Sequence, residues 1–300
     1  MFYRRKNKTY FKKKCRIAVW AVSCLVGLST VLMPILFGLY TPQGPYLIPL
    51  SQRLNNTFAL GLLIAFVFPA IVEFNNYRWG RQVDRNIPKL LRDVAEAVQS
   101  GITLPRALEE ASRRDYGPLS KEIEHTICMF ILGASWEDSL SSLAQRVGRP
   151  SVQRLSTILI EAQQTGGKMI EVLDASVELF SSLDEYREEQ HNTMKPYIIT
   201  IYMATIVFLI IAYVVLYQFL APLYLLSASV TVEESGLLKG VLDINYYQSI
   251  LFWASMVESI FGGLIAGKIR NGTLFAGLWH SVILITMTFV FFNVFSLQEI

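Results

Sequence analysis

Charged side chains are scarce in this chain. Asp, Glu, Lys and Arg make up 17% of its 300 residues, against about a quarter in a typical soluble domain. The scarcity is uneven. Nearly all the charge falls in the first sixteen residues and between Arg78 and Lys195, with long uncharged blocks on either side. Cysteine is scarce too: Cys15, Cys24 and Cys128 form no CxxC pair and no Cys/His cluster, which argues against a disulfide framework or a zinc site. There is no HExxH and no GxSxG, and His125, His191 and His280 lie far apart. Alternating strand patterns are missing from the charged region. These absences predict an all-α protein that is not an enzyme and uses no cofactor and no metal.

What is present is apolar sequence. Hydrophobic residues reach 52% and mean hydropathy is +0.38. Five blocks meet the requirement of roughly 20 apolar residues for a membrane span: about Ile17 to Tyr40, Phe58 to Val72, Tyr197 to Leu226, Tyr247 to Gly267, and Thr273 to Val294. The second is short and meets Glu73 at its end. Basic residues set the orientation. Arg4, Arg5, Lys6, Lys8, Lys12, Lys13, Lys14 and Arg16 precede the first span, and Lys268 and Arg270 follow the fourth. The 41–56 loop offers only Arg53, and the 227–246 loop only Lys239 against Glu233, Glu234 and Asp243. This pattern puts the N-terminus and the central region in the cytoplasm and the C-terminus outside. The N-terminal basic cluster reads as a topology signal with attraction to anionic headgroups, not as a nucleic-acid site. Ala21-Val22-Ser23-Cys24 faintly resembles a lipoprotein cleavage site, but the apolar run continues past it, which reads as an uncleaved anchor.

The expected organisation is a basic N-terminus at 1–16, two spans in 17–75, a helical domain at 76–195, three spans in 196–296, and a short outer tail at 297–300. Within the central region Val83, Ile87, Leu90, Leu91, Val94 and Val98 recur at helical steps, and Ser100-Gly101 ends that helix. Thr103 is placed to cap the next, with Pro105 in its first turn. Leu119, Ile123, Ile127, Phe130 and Ile131 mark a third helix, which stops near Gly133. Ser135 with Asp138 resembles a capping box for the fourth helix. Val152, Leu155, Ile158, Leu159 and Ala162 mark the fifth, and a sixth starts near Lys168 after Gly166-Gly167.

Few groups in this arrangement offer chemistry. Gly262 to Ile269 fits G-x-x-x-x-G-K, yet Ile269 stands where Ser or Thr would ligand magnesium, and the glycines fall inside a span. The acidic run Asp184 to Glu189 reads as a solvated helix face, with a calcium site as the alternative. Small residues recur every four positions in the fourth span (Ser255, Ser259, Gly263, Gly267) and the fifth (Thr273, Gly277, Ser281), predicting a tightly packed helical hairpin. Glu258 and His280 lie inside the same two spans. Counted from the middle of the turn they differ in depth by only about 3 Å, so the expectation is that they meet within the bundle, the alternative being a separate hydroxyl or backbone partner for each.

The order of pieces is two spans, a helical domain, then three spans. Ile87 to Leu108, Gly117-Pro118-Leu119, Gly133 with Trp136 to Leu140, and Ala162 to Gly167 resemble a type II secretion system F domain. Gly263 to Gly272 and Ala276 to His280 resemble the archaeal branch of that family, the assembly platforms of archaeal type IV pili and archaella. Many members carry two F domains in a longer chain; one copy is visible here. The resemblance implies a cell-membrane platform for filament assembly or secretion. It also implies a cytoplasmic hexameric ATPase as a partner, pilin subunits as clients, and a homo-oligomer or a second platform subunit. Arg106, Glu109, Glu110, Arg113 and Arg114 are the charges expected to meet the ATPase. The competing expectations are a transporter or channel using Glu258 and His280, and a membrane-anchored scaffold.

Overall fold

The computed structural model describes residues 13–38, 49–223 and 244–296. Residues 1–12, with most of the basic N-terminal cluster, the end of the first predicted span, 41–48 of the 41–56 loop, the end of the third predicted span, most of the 227–246 loop and the 297–300 tail therefore lie outside the described residues. Every regular element described is helical. In order these are α1 (Lys13–Leu36), α2 (Gln52–Gln99), α3 (Leu104–Ser112), α4 (Pro118–Ile131), α5 (Trp136–Val147), α6 (Pro150–Thr165), α7 (Met169–Thr193), α8 (Lys195–Tyr213), α9 (Ile244–Asn271) and α10 (Leu278–Ser296). Short 3₁₀ turns precede α7 and α10, and a π-helical segment, Val214–Leu220, follows α8. Five of the helical runs are long and apolar enough to cross a membrane. The chain is a multi-pass membrane protein. Its described residues divide into two units, 75–192 and 13–74 with 193–296.

The 75–192 unit is a bundle built on the second half of α2. Val83, Ile87, Leu90, Leu91, Val94 and Val98 are all buried there, as their spacing predicts. Around them close Leu104 and Leu108 of α3, Leu119 and Ile123 of α4, Leu140 and Leu143 of α5, Val152, Leu155 and Leu159 of α6, and Leu173 and Phe180 of α7. The helix ends follow glycine chemistry: Gly101 has φ +91°, and the amide of Ile102 reaches back to the carbonyl of Ala97 at 3.2 Å, closing α2 in the manner only glycine allows cheaply. Ser135 caps α5 by accepting from the Asp138 amide at 3.0 Å. Thr103 precedes α3 but makes no side-chain cap bond, contrary to expectation; Pro105 in the first turn lacks an N–H, so one of the donors a cap would serve is absent.

Polar staples tie this bundle together. Asp84 of α2 receives Nε of Arg149 at 3.0 Å, and also bonds the second nitrogen of that guanidinium and the Ser151 hydroxyl. Gly80, one turn earlier, leaves the space the guanidinium occupies; a Cβ there would collide with it. Arg146 of α5 reaches across to Glu122 at 3.0 Å and Thr126 at 3.0 Å on α4. Trp136 Nε1 donates to the Leu159 carbonyl at 3.2 Å.

The second unit packs through small and polar residues, because lipid supplies no hydrophobic drive for helices to associate. The Ser23 hydroxyl of α1 donates to the Ile64 carbonyl of α2 at 2.8 Å, and a Cβ on Gly27 would lie 2.7 Å from that of Ala65. Glu73, at the end of the second predicted span, lies within the continuous helix α2. It is 7% exposed and is gripped by Arg16 of α1 through Nε at 3.0 Å and Nη2 at 2.7 Å. The short second span and the first helix of the central region form one continuous helix, α2. Near the start of α2, Asn55 is fully buried and bonds Ser249 at 3.0 Å and Trp253 Nε1 at 3.0 Å on α9, while Asn56 exchanges amide bonds with Asn293 of α10 at 2.6 and 3.3 Å.

Candidate functional site

In the bundle unit the surface that stands out lies between α3 and α4. Helix α3 buries Leu104, Ala107, Leu108 and Ala111, which by helical periodicity turns its charged residues outward. Arg106 and Arg113 both grip Glu109, at 2.7 and 3.3 Å, and Glu110 is exposed. Arg114 faces elsewhere. It pairs with Asp93 of α2 at 3.0 Å, and Tyr116, fully buried, donates its hydroxyl to the same carboxylate at 2.5 Å. Burial, then the bond to Asp93, raises the Tyr116 phenol above its ordinary range; the bond to Asp93 likewise raises Arg114. This triad anchors the α3–α4 turn, so four of the five charges expected to meet a partner share the outer face and Arg114 helps to hold the turn.

Beside those charges runs an open cleft of about 420 Å³ lined by Glu109, Ser112 and Arg113 of α3 and Glu124, Ile127, Cys128 and Ile131 of α4. Its lip is apolar. Ile131, one of the residues that mark this helix in the sequence, is 67% exposed and Leu132 87% exposed. The helix ends at Ile131 and turns through Gly133, φ +101°, which leaves both side chains over solvent. Paired aliphatics beside a charged rim suit protein docking. Sequence reading uses Ile131 only to mark the helix; the missed signal for an exposed lip is the consecutive Ile131-Leu132 pair before a glycine, where one helical face cannot bury both.

In the span unit the polar residues sort differently. The small residues of α9 and α10 meet as a hairpin: a Cβ on Gly263 would strike the Ser281 backbone, and one on Gly267 would strike Gly277. The Ser281 hydroxyl donates to the Ile260 carbonyl at 2.9 Å, Ser259 bonds Thr288 at 2.9 Å, and Ser255 is buried, its hydroxyl on the Leu251 carbonyl. Thr273 is exposed ahead of the 3₁₀ turn and takes no part. Glu258 and His280 are not joined by a hydrogen bond or an ion pair. His280 Nδ1 instead lies 2.8 Å from the Tyr202 hydroxyl of α8. The reason is register. Gly267 opposes Gly277 and Gly263 opposes Ser281, so the level of Glu258 on α10 is near residue 286, about 9 Å along the helix from His280. The 3₁₀ turn Leu274–Gly277 moves the hairpin's midpoint past the place that sequence counting put it.

Residues 90–217 match the model for the type II secretion system (T2SS) protein F. The chain carries a T2SS F domain. The match takes in α3 to α8 and so the whole α3–α4 cleft, while Glu258 and His280 fall beyond it. An uncharacterized protein of Methanocaldococcus jannaschii is 23% identical over 214 residues, 71% of this chain and 34% of that relative. The chain thus covers about a third of the relative's length. No solved structure matches it. The charged rim of α3 and the apolar lip of α4 both lie within the matched residues, and among the described residues no group of three or more His, Cys, Asp or Glu is placed to hold a metal ion.

Proposed function

We propose that this chain is the integral-membrane platform of a type IV filament assembly system, of the archaeal pilus or archaellum kind, or of a type II secretion-like machine. The observation that carries the proposal is an F domain at 90–217 in a chain with five membrane-spanning helices. In this reading the N-terminus and the bundle face the cytoplasm and the C-terminus lies outside, following the basic flanks. The platform is not itself an enzyme. Moving a roughly 20-residue apolar pilin helix out of the bilayer costs on the order of 10 kcal/mol on an insertion scale, and a hexameric cytoplasmic ATPase supplies that work. The ATPase docks on the α3–α4 cleft, its apolar side chains against Ile131 and Leu132 and its charges against Arg106, Glu109, Glu110 and Arg113. Pilins are the clients on the membrane side.

The test is a pull-down of the tagged full chain from gently crosslinked native membranes, read by mass spectrometry. Recovery of a secretion-type ATPase with pilin-like proteins, the ATPase lost when Leu132 becomes Asp, supports the platform. Recovery of neither, with solute flux through the purified protein in liposomes, would replace it with a transporter.

A further inference from the structure

Two carboxylates fall among the described residues of the span unit, Glu73 and Glu258. Glu73 is held by Arg16. Glu258 has no hydrogen bond or ion pair to any described residue. It is the fifteenth of the 28 residues of α9, which places it at the middle of a membrane helix, where an unsatisfied carboxyl is costly. At 100° per residue, Ala254, Phe261 and Ile265 lie within about 60° of it around the helix, and Phe261 and Ile265 are 60% and 49% exposed. Gly263, whose backbone packs on Ser281, lies on the far side. Glu258 therefore belongs to the outward face of the span unit, away from the α9–α10 seam.

Since no described residue offers such a carboxyl a hydrogen-bonding group, a second molecule at the same depth is the source to consider. Two copies of one chain are inserted in the bilayer in the same sense, so the axis relating a pair runs along the membrane normal and residues of equal depth face each other. On a second α9 the polar side chain at that depth, on that face, is Glu258 again. Two facing carboxyls satisfy one another directly: the O–H of one donates to the oxygen of the other. Ala254, one turn away, is small enough for the backbones to approach, and Phe261 and Ile265 fill the next turns. The M. jannaschii relative has a bearing on this too. The aligned 214 residues are 71% of this chain and 34% of that one, so the relative is about twice as long and has room for two such units in one polypeptide. We propose that two copies of this chain pair through the outward face of α9, with Glu258 of one copy against Glu258 of the other.

The experiment uses the full chain in its native membrane, in a background with Cys15, Cys24 and Cys128 replaced by Ser. Ala254→Cys or Phe261→Cys is then added and crosslinked with a short bis-maleimide. The expected result is a dimer band from both positions and none from Val290→Cys, an exposed residue of α10. Glu258→Gln, whose amide can also bond its own copy, retains at least half of the band, and Glu258→Leu loses at least fivefold. A Ser259→Cys, Thr288→Cys pair reports the hairpin, since these hydroxyls sit 2.9 Å apart; its disulfide must form inside the Glu258→Leu chain. Absence of a dimer at both positions would overturn the proposal. So would an undiminished dimer in a correctly folded Glu258→Leu, or crosslinking of position 254 to a different, smaller membrane protein. None of these readouts depends on an ATPase, so the pairing can fail while the platform reading stands, and the reverse.

Discussion

Replacing Gly267 by alanine adds one methyl group to α9 where α10 leaves no room for it. The new Cβ would fall against the N and Cα of Gly277 and 2.8 Å from the carbonyl carbon of Ala276, whereas non-bonded carbons rest at about 3.5–4.0 Å. All three atoms are backbone, so no rotamer change relieves the overlap and the helices must part. Overpacking of this kind costs about 1–3 kcal/mol, against which the better helix propensity of alanine returns up to about 1 kcal/mol. Gly262→Ala separates the two effects. It gains the same propensity, and its Cβ meets Ile201 Cγ2 at 3.2 Å and Leu284 Cδ1 at 3.8 Å, both ends of side chains that can move. Reversible unfolding in mixed micelles should place Gly267→Ala below Gly262→Ala by about 1–3 kcal/mol, roughly 5- to 150-fold in the unfolding constant. Equal stabilities of the two variants would refute the packing described for the α9–α10 seam.

Other parts of the structure make separate predictions. Glu73→Gln removes the partner of a guanidinium that is one-third exposed and should cost about 1–3 kcal/mol in the same titration, less than the roughly 3–5 kcal/mol of a fully buried pair; adding Arg16→Met should restore part of the loss. Tyr116→Phe deletes a bond to a charged carboxylate and should cost about 1.5–3 kcal/mol, measured as loss of bundle stability. Asp184 is raised above its ordinary value by burial first and by Glu188 next, against Arg85, Arg187 and Arg81. A carboxyl raised in the folded state contributes its stability while protonated, below its ordinary value near 3.8, and loses it as pH rises through the folded value. Asp184→Asn should therefore be more stable than the parent at neutral pH and indistinguishable from it below about pH 3.5, as followed by thermal melts across that range.

Features governed by one helix at a time were legible in the sequence. The apolar blocks became α1, the first half of α2, α8, α9 and α10, and the Val83-to-Val98 stripe is buried as its 3.6-residue period requires. Ser135 and the glycines at 101, 133 and 148 did at the helix ends what their chemistry dictates. Features that depend on how two distant helices align were not legible. Arg16 and Glu73 are 57 residues apart, and nothing local says that a basic topology signal also closes a buried ion pair. Asn55 and Asn56 looked like loop residues, because their partners Ser249 and Asn293 come almost two hundred residues later or more. The Glu258–His280 pairing failed on a count: a four-residue 3₁₀ turn shifts the hairpin register by enough to leave them about 9 Å apart in depth. The exposed lip of α4 was hidden for a related reason, since a helical period cannot tell whether the last turn of α4 still has a neighbour to cover it.

Whether the F domain receives an ATPase on the α3–α4 cleft, as proposed above, is tested most directly by site-specific photo-crosslinking. A photoreactive amino acid at Leu132 of the full chain, irradiated in cells that make the machine, should yield one major adduct, with the assembly ATPase. The same probe at Glu189, on the exposed part of α7, should yield little of it, and Ile131→Glu should reduce the Leu132 adduct at least tenfold while the protein remains at normal levels in the membrane. An adduct of the ATPase at Glu189 but not at Leu132 would contradict the cleft as the coupling surface, and no ATPase adduct at either position would contradict the platform itself.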